Sequence, residues 1–295
     1  MKKTLYIFCL MFSLQQISAQ NMDYMTTINQ WHTARIQNLK KPNGWLNLEG
    51  LFWLHIGNNS FGSDKTSDCY YSNTVFPTKL GNFIYEGDSV TWTNAGDNLI
   101  DINKIKTKSN KSYTVFSANE QSAVMDWKDF SWVVIKREDK VGIRFRNLKA
   151  KTLLNFNGIE RFPIDTEWRI KGKLEQPAQD FLMITNVLGQ NTVTKNAGKF
   201  TFEKNGQQYS LDVIDEGGSQ LFIVFADNTS GISTYGAGRF IEIPKPDANG
   251  NTVIDFNLAY NPPCAFTAFA TCPLPPKQNR LALKIEAGEK NYGHH

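Results

Sequence analysis

The sequence predicts a mainly β protein: an N-terminal helix, then two β-rich, sandwich-like or barrel-like domains and an extended proline-rich C-terminal tail. Helical spacing of apolar residues is confined to residues 23–40. From residue 45 onward, short segments rich in β-branched and aromatic residues alternate with turn residues. Five of the 11 prolines lie within residues 259–280, AYNPPCAFTAFATCPLPPKQNR. Together these observations favour sheets closed by a stiff terminal segment.

The first 19 residues are predicted to be a secretory signal peptide. The segment MKKTLYIFCLMFSLQQISAQ combines a basic start, an apolar run and a small-residue exit. The apolar run is too short to span a bilayer. Cleavage is expected near Ala19 or Gln20, which would place the protein in the periplasm or outside the cell, with no membrane span.

The charge of the chain argues against a nucleic-acid partner. The formal charge is +4, and removal of Lys2 and Lys3 with the signal peptide leaves +2. The lysines of residues 102–112 are separated by polar and apolar residues, whereas nucleic-acid sites cluster their basic side chains. No nucleic acid is therefore expected among the partners.

Residues 20–42 are predicted to hold the N-terminal helix. Asp23 is a candidate N-cap, and Tyr24, Ile28 and Trp31 recur at helical spacing. The turn sequence of residues 42–44 would end the helix.

Residues 43–155 are predicted to form a β-sandwich-like domain. Its candidate strands include residues 89–93, 112–117, 130–139 and 140–147, the last two joined as a hairpin.

Residues 156–295 are predicted to form a second β-rich domain. Asn205-Gly206, between alternating segments, is a strong signal for a two-residue hairpin. Further strands are expected over residues 220–227, 238–244 and 252–258. Residues 259–295 lack strand alternation, and they are expected to wrap this domain as an ordered tail.

The sequence offers few residues for nucleophilic or metal chemistry. His32 and His55 are the only histidines before the last two residues, and neither has an obvious catalytic partner. No metal-ligand spacing occurs, so no metal and no cofactor are expected. A carboxylate pair for glycan hydrolysis remains open, with candidates Asp165, Asp227, Asp255 and Glu289.

A ligand site is predicted where strand ends meet the C-terminal tail, because acceptors, fixed donors and an aromatic ring converge there. The candidate residues are Arg239, Asp255, Asn257, Tyr260, Asn261, Arg280 and Glu289. The structural alternative is that Arg239 or Arg280 pairs with Asp255 or Glu289 and thereby holds the tail on the sheet.

Three functions stay open at this point. The first is binding of a small polar ligand, a glycan or a protein partner. The second is hydrolysis by a carboxylate pair in the second domain, which leaves open whether the protein is an enzyme. The third is a purely structural or interaction role.

Cys264 and Cys272 are predicted to form a disulfide. They lie eight positions apart in a proline-bounded segment of an exported chain, and such a short loop can close by folding back. Cys69 would then remain as a buried or half-buried thiol.

Several stretches of this sequence resemble the uncharacterised family known as domain of unknown function 1684. The similar stretches are GWLNLEGLFWLHIGNNSFGSD, RFPID, NVLG, LFIVFADNTSGISTYGAGRF and, most specifically, DFNLAYNPPCAFTAFATCPLPPKQNRLALKIEAGEK. The resemblance extends over nearly the whole mature chain, and it implies no particular activity.

Residues 51–103 are also similar to the opening of forkhead-associated sandwiches. That resemblance implies a sandwich fold. Those domains bind phosphothreonine with an arginine after the glycine and a serine-x-x-histidine, but here Ser63 follows Gly62 and the serine–histidine pair does not occur. The phosphopeptide site is therefore not expected to carry over.

Overall fold

The computed structural model describes residues 22–109 and 111–293, so the predicted signal peptide lies outside the described residues. The fold is mainly β with an N-terminal helix, which confirms these two parts of the predicted fold class. Its described residues divide into two compact units. The sandwich unit comprises residues 40–156 and 267–270, and the C-terminal unit comprises residues 22–39, 157–266 and 271–293.

Helix α1 extends over residues 22–40. Ile28 and Leu39 are almost fully buried, whereas most of the intervening positions are exposed, so the helix is amphipathic. Because the described helix already includes residue 22, Asp23 lies inside it and is not the predicted N-cap.

The sandwich unit consists of two antiparallel-rich sheets. Its described strands are β1 (Leu48–Trp53), β2 (Gly57–Gly62), β3 (Cys69–Tyr70), β4 (Gly81–Tyr85), β5 (Ser89–Asn94), β6 (Asp101–Ile102), β7 (Ile105–Lys106), β8 (Ser112–Ser117), β9 (Val124–Trp127), β10 (Phe130–Arg137) and β11 (Lys140–Asn147). One sheet has the order β1-β11-β10-β9-β6-β7, and the other has the order β3-β2-β4-β5-β8. The short helix α2 (Lys151–Leu154) follows.

Large aromatic side chains fill the sandwich. Phe61, Trp92, Trp132 and Phe145 are fully buried, and the Phe61 ring lies 5.4 Å from the Trp132 ring and 5.6 Å from the Phe145 ring. Edge-to-face packing of this kind adds to the stabilisation from buried area. Two of the seven tryptophans, Trp92 and Trp132, belong to this core.

The C-terminal unit is built on one long antiparallel sheet. Its described strands are β12 (Arg169–Glu175), β13 (Phe181–Thr185), β14 (Asn191–Lys204), β15 (Gln207–Ile214), β16 (Gln220–Phe225), β17 (Arg239–Pro244) and β18 (Asn251–Asp255). The strand order is β17-β16-β15-β14-β12-β18, with β13 paired to β14. Strands β17 and β18, at the two ends of this order, contact each other, so the sheet curls towards a barrel.

Both predicted hairpins are present. In β10–β11 Arg137 pairs with Lys140, and in β14–β15 Lys204 pairs with Gln207. Asn205 and Gly206 both have positive φ, 55° and 74°, as a primed two-residue turn requires.

Residues 281–287 alternate between buried and exposed positions, although the sequence predicts no alternation there. Leu281, Leu283, Ile285 and Ala287 join the core of the C-terminal unit, and the residues between them face solvent. The stretch is therefore extended and packs one of its faces on the sheet, without a regular strand ladder. Lys284 and Glu286 follow this alternation in the sequence, whereas Ala282 on the outer face and Ala287 in the core weaken it.

Candidate functional site

Arg239, at the start of β17, is a predicted site residue that the fold buries completely. Its Nη2 donates to Asp227 Oδ2 at 2.7 Å and to the Ile285 carbonyl at 3.0 Å, and its Nη1 donates to the Ala287 carbonyl. Burial lowers the pKa of Arg239, and the charge of Asp227 opposes that effect. Because solvent does not reach the guanidinium, Arg239 joins β17 to the terminal segment and does not contact a ligand.

Asp227, rather than Asp255 or Glu289, is the acid that pairs with Arg239. Its Oδ1 accepts hydrogen bonds from the Thr229 amide at 2.6 Å and the Thr229 hydroxyl at 2.5 Å. Both carboxylate oxygens are thus satisfied inside the protein, as a buried charge requires. The structural alternative predicted for Arg239 was an ion pair that holds the tail on the sheet. Arg239 does form an ion pair, but with Asp227 and not with Asp255 or Glu289.

Asp255 and Asn257 connect the end of β18 to helix α1. The Tyr24 hydroxyl donates to Asp255 Oδ2 at 2.7 Å, and Asn257 Nδ2 donates to Asp255 Oδ1 at 2.9 Å and to the Asp165 carbonyl at 2.8 Å. Burial, and then the hydrogen bond to Asp255, raises the pKa of Tyr24. These polar groups satisfy one another's hydrogen-bonding capacity and hold helix α1 against the end of β18.

Glu289 and Asn261 form a third cluster around Arg35. Glu289 is 1% exposed and accepts hydrogen bonds from Arg35 Nε at 3.0 Å and from the Asn261 amide at 2.7 Å. Arg35 Nη2 donates to the Asn261 carbonyl at 2.7 Å. The three groups close a ring of hydrogen bonds that fixes the guanidinium of Arg35.

The predicted site residues therefore do not form one site. Arg280 is exposed, and it meets Ala226 through a backbone bridge. Tyr260 is the predicted residue that lines a cleft. Asn261 and Glu289 accept hydrogen bonds from Arg35, which lines the same cleft.

This cleft, here called the Tyr260 cleft, is a cavity of about 310 Å³ in the C-terminal unit. Helix α1 supplies one wall, and β16, β17 and the residues after β18 supply the other. Its lining residues are Trp31, Ala34, Arg35, Asn38, Gln220, Glu242, Leu258 and Tyr260.

The aromatic and charged groups of the Tyr260 cleft contact each other directly. The rings of Trp31 and Tyr260 have centroids 6.1 Å apart at an angle of 53°. Arg35 Cζ lies 4.6 Å from the centroid of the Tyr260 ring, a cation–π contact. The Tyr260 hydroxyl donates to Glu242 Oε1 at 3.4 Å, a long hydrogen bond. The cleft thus combines aromatic faces, a fixed cation and an exposed carboxylate.

The charge of Glu242 contributes to the raised pKa values of two groups, Tyr260 in the cleft and Glu216 in the connection between β15 and β16. Burial, and then the charge of Glu242, raises the pKa of Tyr260, so its hydroxyl is a neutral donor at physiological pH. Partial loss of hydration, and then the negative charge of Glu242, raises the pKa of the Glu216 carboxyl. Glu216 therefore takes up a proton more readily than an ordinary glutamate.

The sequence prediction missed Trp31, Arg35, Asn38, Gln220 and Glu242. One signal was present: Trp31 and Arg35 are four residues apart, which places them on the same face of a helix. Strand alternation likewise leaves Glu242 on the outer face of β17. No local pattern, however, indicates that these two faces meet.

A larger cavity of about 750 Å³ lies beside β14 and the turn over residues 245–250. Lys195 and Asp215 form an ion pair of 2.8 Å there, and the lysine is exposed. Asp247 accepts hydrogen bonds from the backbone of its own turn. These charged groups serve surface and turn structure, so we place the candidate site in the Tyr260 cleft.

Cys264 and Cys272 are free thiols in this structure, which does not show the predicted disulfide. The physical reason lies in the turn over Pro263–Ala265, which directs the Cys264 amide towards Cys272 Sγ at 3.0 Å and uses that sulfur as a hydrogen-bond acceptor. Cys69 is fully buried, as predicted, and burial raises its pKa to about 12.

Over residues 22–109 and 111–293, no group of three or more His, Cys, Asp or Glu side chains could hold a metal ion. None of the helices in these ranges is both long enough and apolar enough to cross a membrane.

Similarity to known structures is weak. The solution NMR structure of an uncharacterised protein from Haloarcula marismortui is 28% identical, covers 48% of this chain and 80% of its own, and has a TM-score of 0.40. The crystal structure of Rad53 1–466 in complex with AMP-PNP is 15% identical, covers 75% of this chain and 49% of its own, and has a TM-score of 0.20. At these TM-scores neither structure supports an argument about this protein.

A comparison with curated proteins finds no match. A family model described as "Protein of unknown function (DUF1684)" matches residues 154–290. This range is narrower than the resemblance predicted from the sequence, because it omits the stretch over residues 44–64. The latter part of this chain, residues 154–290, is thus similar to the DUF1684 family, as its sequence motifs predicted.

Proposed function

We propose that this protein is exported and binds a small hydroxyl-rich ligand, such as the end of a glycan, in the Tyr260 cleft. The observation that carries the proposal is the position of Arg35. Its guanidinium lines the cleft, while Glu289 and the Asn261 carbonyl hold it in one place. A donor that is already fixed loses little conformational entropy when a ligand binds.

The lining of the cleft supports a sugar-like ligand. Trp31 and Tyr260 offer flat apolar faces, which suit the C–H side of a sugar ring. Glu242 accepts hydrogen bonds from hydroxyl groups, and Arg35 donates them. A few polar groups placed among apolar ones is the usual composition of a small-molecule site.

The test is calorimetric titration of the mature protein with a panel of soluble oligosaccharides. We expect at least one to bind, and Trp31→Ala to weaken its binding at least tenfold, a loss of about 1.4 kcal/mol. Trp53→Ala is the matched control, because Trp53 is also half-buried and lies in the sandwich unit.

Equal effects of Trp31→Ala and Trp53→Ala would contradict the proposal. So would a broad panel without any binder, and that result would favour a protein partner instead.

A hydrolase is the second candidate, and the Glu216–Glu242 interaction favours it. The charge of Glu242 contributes to the raised pKa of Glu216, and glycosidases divide the acid and base roles between two carboxyl groups in different environments. In this reading Glu216 donates the proton and Glu242 acts as the carboxylate. The acids named from the sequence are instead engaged in structural hydrogen bonds, most clearly Asp227 and Glu289.

Activity on chromogenic glycosides decides between binding and hydrolysis. A hydrolase requires turnover that Glu216→Gln and Glu242→Gln each abolish while the fold is retained. Ligand binding without turnover supports the first proposal.

Export is tested by expression in a secreting host followed by intact mass measurement of the product. We expect a mature chain that begins after Ala19 or Gln20. A product that keeps residues 1–19 and stays in the cytoplasm would contradict the export part of the proposal.

A further inference from the structure

Cys264, Cys272 and Tyr235 form a cluster in the C-terminal unit that does not line the Tyr260 cleft. Cys264 is the middle residue of the turn Pro263–Ala265, where proline fixes the backbone. The Cys272 carbonyl accepts a hydrogen bond from the Val187 amide at 2.9 Å. The backbone on both sides of the cluster is thus held in place.

The two thiols are close enough to react with each other. The Cys264 amide lies 3.0 Å from Cys272 Sγ. The Cys264 thiol also interacts with the Cys272 thiol and with the Tyr235 hydroxyl. A disulfide needs no more than a change of side-chain rotamer when the backbone already brings two cysteines together.

The two cysteines differ in access to solvent. Cys264 is half-buried, whereas Cys272 is 3% exposed. A reagent that arrives from solvent therefore meets Cys264 first.

The surroundings also activate Cys264. The hydrogen bond with Cys272, and to a smaller extent the one with Tyr235, lowers the pKa of Cys264 against the opposing effect of burial. The thiolate is the nucleophilic form of cysteine, so a lowered pKa increases its reactive fraction near neutral pH. Cys69 shows the opposite behaviour, because its burial raises its pKa to about 12.

We propose that Cys264 and Cys272 are a redox-active pair that undergoes thiol–disulfide exchange with low-molecular-weight disulfides. Cys264, as thiolate, attacks one sulfur of the small disulfide; a mixed disulfide forms, and the other half leaves as a thiolate. Cys272 then attacks Cys264 Sγ, the bond between Cys264 and Cys272 forms, and the second half leaves.

The exchange is balanced. Two protein thiols are oxidised, one small disulfide is reduced to two thiols, and the two protons pass to the leaving thiolates. The small disulfide is the only oxidant needed. The proposal goes beyond ligand binding and does not depend on the Tyr260 cleft.

The test uses oxidised glutathione, the full mature chain and peptide mapping by mass spectrometry. The reduced protein is expected to form a disulfide between Cys264 and Cys272 without a lasting glutathione adduct. Cys272→Ser is expected to keep one glutathione on Cys264, and Cys264→Ser is expected to react at Cys272 at least about tenfold more slowly, because Cys272 is buried. Cys69 serves as the unreactive internal reference.

Equal reaction at Cys264 and Cys272, or a glutathione adduct that the second cysteine does not displace, would overturn the proposal. Circular dichroism of each variant checks that the fold is retained.

A second measurement keeps both thiols and so does not depend on the serine variants. The rate of Cys264 alkylation by iodoacetamide is followed against pH. Tyr235→Phe is expected to move the midpoint of this profile to higher pH, because a hydroxyl donor to the thiolate is lost. Tyr209→Phe, which removes a hydroxyl elsewhere in the same unit, should leave the midpoint unchanged. An unchanged midpoint in Tyr235→Phe would refute the activating role of Tyr235.

Discussion

At the scale of single residues, the Arg239–Asp227 pair shows how this fold holds a charge without solvent. Both side chains have no exposed area. Backbone carbonyls accept from the two terminal nitrogens of Arg239, and the Thr229 hydroxyl donates to Asp227, whereas Arg239 Nε is buried without a hydrogen-bond partner. Taking two charges out of water is costly, so removal of one partner leaves the other uncompensated.

Arg239→Met is therefore expected to lower the free energy of unfolding by about 3–5 kcal/mol, measured by urea denaturation. The double variant Arg239→Met/Asp227→Leu should recover part of this loss, because no lone charge stays buried. Arg280→Ala is the matched control: Arg280 is exposed, and we expect a change within about 0.5 kcal/mol. Similar losses for Arg239→Met and Arg280→Ala would contradict the assignment.

His32 makes stability depend on pH. Burial, and then repulsion from Arg161, lowers the pKa of His32. The unfolded chain, with a histidine pKa of about 6.5, binds the proton more readily than the folded protein. The free energy of unfolding should therefore fall as the pH drops below about 6.5, and His32→Gln should reduce that fall in denaturation curves recorded between pH 7 and 5.

His55 is the matched control for His32, because its pKa is shifted in the opposite direction. Hydrogen bonds to the Ile56 carbonyl and to Asp68 raise the pKa of His55. Its contribution to stability is present at acidic pH and is lost as the pH rises through the folded pKa. His55→Gln should thus steepen the loss of stability on acidification, and the same response from both variants would contradict this account.

At the scale of elements, the parts predicted correctly were those whose signals are local. The hairpin at Asn205-Gly206 follows from a two-residue preference for positive φ, and the fully alternating burial of β5 follows from SVTWTN itself.

The candidate site could be predicted only in part, because long-range pairing builds it. Tyr260 was named from its own segment, whereas Arg35 enters from helix α1, more than 200 positions away in sequence. The acid for Arg239 was misjudged for the same reason: several acids were plausible partners, and only the folded strands bring Asp227 to it.

Gly288 fixes how closely the terminal segment approaches the sheet. Its φ is +76°, and an added Cβ would lie 2.5 Å from the Ala259 carbonyl oxygen and 2.7 Å from that of Phe256. Gly206 has almost the same φ, +74°, but no atom lies within 4 Å of its Cβ position.

Gly288→Ala is therefore expected to lower the free energy of unfolding by at least about 1–3 kcal/mol more than Gly206→Ala. Both variants carry the same backbone strain, so the difference measures the steric clash. Equal losses in urea denaturation would contradict this prediction. They would show that the terminal segment accommodates the added methyl group without losing stability.

At the scale of the whole molecule, each compact unit draws on distant parts of the sequence. The sandwich unit includes residues 267–270, where the Thr267 hydroxyl donates to the Leu48 carbonyl at 2.9 Å. The C-terminal unit includes residues 22–39, where Arg35 neutralises the buried Glu289.

Deletion of residues 22–39 from the mature chain should therefore destabilise the C-terminal unit by about 3 kcal/mol or more, because Glu289 loses its cation. Arg35→Met in the intact chain should reproduce part of this loss and so separate the charge from the helix packing. Denaturation followed by far-ultraviolet circular dichroism measures both. A deletion variant as stable as the intact chain would contradict the role given to the helix.

The contact between Arg35 and Glu289 has a consequence for biosynthesis. The two residues are 254 positions apart, so the helix is synthesised long before its acidic partner. While the chain is being made, the apolar side chains of Ile28 and Leu39 have no completed surface to cover them. We therefore expect a nascent chain that does not yet include Glu289 to bind holding chaperones through this uncovered apolar face.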